Sequence, residues 1–119
     1  MSSPVDERLR EILAYDIPLY LHQVGYDVHP VNPTANEIFG LPAYDTVGDV
    51  PERVDVVQVF RPEFEVVGIV EAALERGDVK AIWLQQGIRS YAAELRAEEA
   101  DVAFVEDRCI GAEHRRLVG

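Results

Sequence analysis

Apolar and polar positions change period several times along this chain, and the changes divide it into elements. Val54, Val56, Val57 and Val59 form a dense β-branched run with Gln58 near its middle. Such a run suits a strand buried on both faces of a parallel sheet. It stops at Phe60-Arg61-Pro62, and the period then becomes helical. From Glu63 to Arg76, Val67, Val70 and Leu74 fall on one face and Glu71 and Glu75 on another, with Gly77 as terminator. Lys80 to Gln85 reads as the next strand, closed by Gln86-Gly87. Ser90 caps a helix from Tyr91 to Ala100, Asp101 to Glu106 is a further strand, and Cys109 to Leu117 is a last short helix.

The first half is less regular. Ser3 caps a helix with Pro4 at its first position, and Val5, Leu9, Ile12 and Leu13 recur at helical spacing. Asp16 caps a second helix striped by Ile17, Leu21 and Val24 and ended by Gly25. A short strand around Val28 is interrupted by Pro30 and stopped by Asn32-Pro33-Thr34. Thr34 to Tyr44 reads as a loop with a short edge strand from Leu41, and Thr46 to Pro51 as a helical turn. Strands alternating with helices at this spacing predict an α/β fold, a Rossmann-like parallel sheet flanked by helices and joined by right-handed crossovers. In such sheets ligands bind at the carboxyl ends of strands, which puts Arg61 at the mouth of a candidate site.

Length adds one bound: 119 residues suit a single domain over positions 1–119. No run approaches the ~20 apolar residues of a membrane span, and the charged start does not read as a signal peptide. One cysteine, Cys109, excludes an internal disulfide and suits a reducing cytoplasm. Charge changes the picture more. There are 22 acidic residues against 11 basic ones, a net charge of −11, and Lys80 is the single lysine. A chain this acidic is expected to avoid bare nucleic acid. An acidic, lysine-poor surface also suits a halophilic protein, because at ~1 M salt charge repulsion is screened beyond ~3 Å.

Catalytic signatures are missing. There is no Walker A loop, no GxSxG elbow and no HExxH, and His22, His29 and His114 have no ligand spacing, so neither a metal nor a catalytic residue is predicted. What the strand ends do offer is binding chemistry. Asn32 and Pro33 are a turn pair with an amide that donates and accepts. Arg61 is either a solvated charge or a phosphate fork, and Phe60 is core, or else it or Pro62 is a surface for an aromatic base. Gly87 permits close approach of a ligand to the backbone. Asp107 and Arg108 suit a structural ion pair, and Cys109 a buried apolar residue or, at a helix start, a reactive thiol.

Four segments in order carry a family resemblance: Val31-Asn32-Pro33, Val59-Phe60-Arg61-Pro62-Glu63, Trp83-Leu84-Gln85-Gln86-Gly87-Ile88, and Glu106-Asp107-Arg108-Cys109-Ile110 with Glu113-His114 following. Together they resemble the small stand-alone CoA-binding proteins, themselves similar to the CoA-binding domain of the succinyl-CoA synthetase alpha subunit. The resemblance runs from about Ile17 to Leu117. It implies non-catalytic binding of coenzyme A or an acyl-CoA, with Asn32 and Pro33 near ribose and phosphate. It implies Phe60, Arg61 and Pro62 at adenine and phosphate, and Leu84, Gln85, Gln86, Gly87 and Ile88 along the pantetheine arm. A small nucleotide would then be the partner, with no nucleic acid and no membrane, and a homodimer is compatible. The alternatives are a nicotinamide-dinucleotide enzyme on the same fold, or a scaffold module with a decayed nucleotide site. One departure stands out. Family members place a strand and a Gly/Ser-rich turn before the helix containing Tyr20-Leu21, whereas here Ala14-Tyr15-Asp16-Ile17 joins two helices directly. The missing strand would lie between those at Val28 and Val54, so either those strands close on each other or their edges stay open.

Overall fold

The computed structural model describes residues 17–38 and 40–117; the helix expected from Ser3 lies outside them. Residues 17–23 form helix α1. It ends as the glycine at 25 predicts: Gly25 takes φ 103°, its N–H bonds to His22 O, and Tyr26 N–H reaches back to Leu21 O. The expected strand around Val28 is reduced to one parallel bridge, Val31 with Tyr44. Pro30 and Pro33 cannot donate to a ladder, so two of the positions available for pairing are lost. The loop beyond it holds a small hairpin, β1 (Glu37–Ile38) against β2 (Leu41–Pro42). A 3₁₀ turn, Val47–Asp49, follows, with Thr46 and Asp49 in a capping box.

The second half follows its pattern closely. Strands β3 (Val56–Val59), β4 (Ala81–Leu84) and β5 (Ala103–Val105) make a parallel sheet in chain order. Helices α2 (Glu63–Glu75), α3 (Tyr91–Glu99) and α4 (Ile110–Leu117) connect and flank it. Helices α2 and α3 pack on one face. There Val57, Val59, Ile82 and Leu84 of the strands pack on Val66, Val70, Ala73 and Ala93 of the helices. The buried stripe of α2 is therefore Val66, Val70 and Ala73, with Val67 and Leu74 only half-buried. The valine pairs at 66 and 67 and at 56 and 57 each offer two registers, and the helix took the other one.

The other sheet face corrects a second expectation. β3 is not buried on both sides: Val57 and Val59 are in the core, while Val56 is 47% exposed. Along that face Gln58, Trp83 and Val105 lie in register and half-buried. β3 is also an edge strand, with β4 as its one partner among the described residues. Among the described residues, then, the edge that the absent strand would have covered is open. Among the described residues no helix is long and apolar enough to cross a membrane.

One side chain joins the two halves. Arg76, at the end of α2, is 11% exposed and uses all five of its N–H donors. Nη1 donates to the carbonyls of Val47 and Val50, Nη2 to that of Glu52, and Nε and Nη2 to the two Asp78 oxygens, all within 2.8–3.1 Å. The Asp78 carboxylate also accepts from Val54 N–H at 3.0 Å. The Arg76 guanidinium, helped by the Val54 amide, pulls the pKa of Asp78 down to about 2.

Candidate functional site

The carboxyl ends of β3, β4 and β5 meet around the turn after β4. Gly87 has φ 89°, a left-handed conformation that lets the chain reverse before α3. Its N–H donates to Asp107 Oδ1 at 2.7 Å, and Arg89 Nη2 donates to Asp107 Oδ2 at 2.9 Å. Asp107 itself sits at φ 58°, a conformation that Asp adopts more readily than most residues. The Gly87 amide, then Arg89, hold the Asp107 carboxyl below its usual range. The expected partner of Asp107 was Arg108. The structure gives it Arg89, because the left-handed turn at 107 sends Arg108 toward Glu113 at 3.7 Å.

Gln85 is the inner wall. It is 1% exposed, and both ends of its carboxamide are engaged. Oε1 accepts from Gln58 Nε2 on β3 and from Ile110 N–H at the start of α4, and Nε2 points at Cys109 Sγ, 3.2 Å away. A buried amide is stable only when so partnered. Trp83 Nε1 donates to Arg108 O at 2.7 Å, tying the same corner. Cys109 is half-buried and is met by an amide donor.

The residues singled out from sequence separate into two sets. Leu84, Gln85 and Ile88 are buried, while Gln86, Gly87, Arg61 and Pro62 are exposed and Phe60 is half-buried. Arg61 forms a bidentate pair with Glu65, Nε to Oε2 at 2.9 Å and Nη2 to Oε1 at 3.1 Å. Asn32 closes an Asx turn, its Oδ1 accepting from Thr34 N–H and Oγ1. No described hydrogen bond or ion pair joins Asn32–Pro33 to the strand ends. Arg89 was not singled out from sequence. It links all three ends: its side chain holds Asp107, Glu106 lies 4.0 Å away, and its N–H points to Glu63 of α2. An arginine two residues past a strand-closing glycine was the available signal.

A second cluster lies between α1 and α4. Tyr20 Oη and His114 Nδ1 are 2.7 Å apart, Tyr26 meets the imidazole edge-on, and Arg115 stacks 4.3 Å over the Tyr20 ring. Gly111 makes the approach close, since a Cβ there would lie 2.9 Å from Ile17 Cδ1. These contacts give His114 a packing role.

The fold is a Rossmann-like α/β domain with polar groups gathered at the carboxyl edge of its sheet. The CoA binding domain family matches residues 9–115. YneT of Bacillus subtilis is 32% identical over 94 residues, which cover 79% of this chain and 69% of YneT. An acetate–CoA ligase (ADP-forming) of Methanocaldococcus jannaschii is 24% identical over 106 residues, covering 83% of this chain but 15% of the ligase. Among solved structures, a Pyrococcus horikoshii protein superposes with TM-score 0.83 at 33% identity, over 100% of this chain and 99% of that one. The chain belongs to the CoA-binding domain family.

Proposed function

We propose that this chain binds coenzyme A or an acyl-CoA without transforming it, with the ligand across the carboxyl ends of β3, β4 and β5. The observation that carries the reading, beside family membership, is a trio of exposed arginines: Arg61 after β3, Arg89 after β4 and Arg108 after β5. In a chain of net charge −11 these are the groups that can meet a polyanion. Each is paired with a carboxylate at the surface, and such pairs are worth little and exchange readily. No glycine-rich turn offers backbone amides to the pyrophosphate, and the Gly87 amide is taken by Asp107. Guanidinium forks therefore do that work in this reading. Phe60 and Pro62 would flank the adenine, Gln86 and Gly87 the pantetheine arm, and Asn32 and Pro33 the ribose. Leu84, Gln85 and Ile88 would shape the wall from behind.

Isothermal titration with CoA, dephospho-CoA and NAD tests it. CoA is expected to bind best and dephospho-CoA more weakly for want of a phosphate, with affinity falling as salt rises. Arg61→Ala is expected to weaken CoA about tenfold through loss of a charge-assisted contact. Absent CoA binding, or NAD binding more tightly, would favour the dinucleotide or decayed-site alternatives and reject this one.

A further inference from the structure

The edge of β3 carries a second message. Asp55 O accepts from Ala81 N–H and Val59 O from Gln85 N–H, so the odd-numbered peptide groups face β4. The even ones, at Val56, Gln58 and Phe60, turn outward and have no partner among the described residues. The open ladder is bounded at both ends. Val54 N–H is already held by Asp78, and Pro62 has no N–H. An unpaired edge of this kind is a template for another strand.

The sequence of this edge is complementary to itself. Reversed about Gln58, Val56 falls opposite Phe60 and Asp55 opposite Arg61. Each charge meets its opposite. We propose that a second copy of this chain pairs with this edge, β3 against β3 in antiparallel sense about a two-fold axis at Gln58. Two three-stranded sheets then become one of six. Val56, Gln58 and Phe60 form the hydrogen-bonded pairs, and the Asp55–Arg61 contacts fall at the closely spaced positions between ladder bonds. Asp55 and Arg61 are free to take part, because the Arg53–Asp55 and Arg61–Glu65 pairs that hold them are exposed. The exposed Val56 gains cover from Phe60 of the second copy. The contact is isologous and uses the β3 edge of both copies, so it closes as a dimer.

Sedimentation equilibrium of ligand-free protein tests this at about 0.1 M salt, where the ~10 Å screening length leaves contact pairs intact. The wild type is expected to reach twice the 13.3 kDa chain mass, with half-association on the order of 10–100 µM for so small an interface. Asp55→Arg and Arg61→Asp each place like charges opposite each other twice, and each is expected to weaken association about tenfold. Mixed in equal amounts, the two restore every opposite-charge contact and are expected to regain wild-type association. Val56→Pro removes an outward N–H that β4 does not use, and is expected to be monomeric with an unchanged far-UV circular dichroism spectrum. A monomeric wild type at the highest concentration, a Val56→Pro variant that associates normally, or a mixture no tighter than its components would each overturn the proposal.

Discussion

Replacing Arg76 by alanine tests how the irregular first half is held to the sheet. The side chain satisfies three carbonyls of the 47–52 turn and both oxygens of Asp78. Hydrogen bonds to a charged group are worth about 1.5–3 kcal/mol each where the partners stay desolvated. The turn reaches the surface, however, and water will recover part of that on mutation. A loss of about 3 kcal/mol is expected, the worth of one or two such bonds. For a chain of this size that lowers Tm by about 10 °C. Arg76→Lys keeps the charge but not the planar fork, so it should retain less than half of the stabilisation. Urea unfolding reads both. The pH dependence supplies an independent check. In the folded protein Asp78 titrates near pH 2 and in the unfolded chain near 3.8, so its contribution is complete above about pH 4 and is lost as pH falls toward 2. Without Arg76 the folded value rises and the stability curve flattens across that window. A loss under about 0.5 kcal/mol for Arg76→Ala, or a lysine variant as stable as the wild type, would refute the reasoning.

Other expectations concern the site and the core. Gly87→Val forces a β-branched residue into a left-handed turn and should cost about 1–3 kcal/mol by urea unfolding, with a matching loss of CoA affinity. Ile82→Ala empties the centre of the α2–α3 core and should cost about 3 kcal/mol, leaving CoA affinity per folded molecule unchanged. Acidification should protonate Asp107 only below the usual carboxylate range. Protection of the Gly87 amide, taken relative to the intrinsic exchange rate at each pH, should therefore persist down to that point and fall below it, whereas in Asp107→Ala it is lost at every pH.

Much of the sheet was legible because its strands and helices bury one periodic face each. Ser90 shows this at the level of an atom: its Oγ accepts from Ala93 N–H, as its position before a helical run implied. The strand at Val28 was not legible to the same degree. Its residues favour extension, but pairing depends on a neighbour distant in sequence, and prolines remove the donors. In the site, the glycine and the arginine after β3 were readable as strand-end chemistry. The buried role of Gln85 was not. Nothing local distinguishes an amide that faces a ligand from one that faces Gln58 and Ile110. Arg76 and Arg89 were passed over for the same reason, since an arginine's partners lie in other segments.

The strand order has a kinetic consequence. β3, β4 and β5 neighbour one another in the order they are made, with partners 25 residues apart (Val56 and Ala81) and then 22 apart (Ala81 and Ala103). Loops of that size close at modest entropic cost, and each closure lays a helix on the same core. Residues from Arg53 to Asp107 can therefore assemble progressively without waiting for the first half. The amides of Ile82 and Leu84 are expected to be the slowest to exchange with solvent, and those of the β1–β2 hairpin among the fastest. The first half would then dock as a late step, drawn down onto the finished sheet by Arg76.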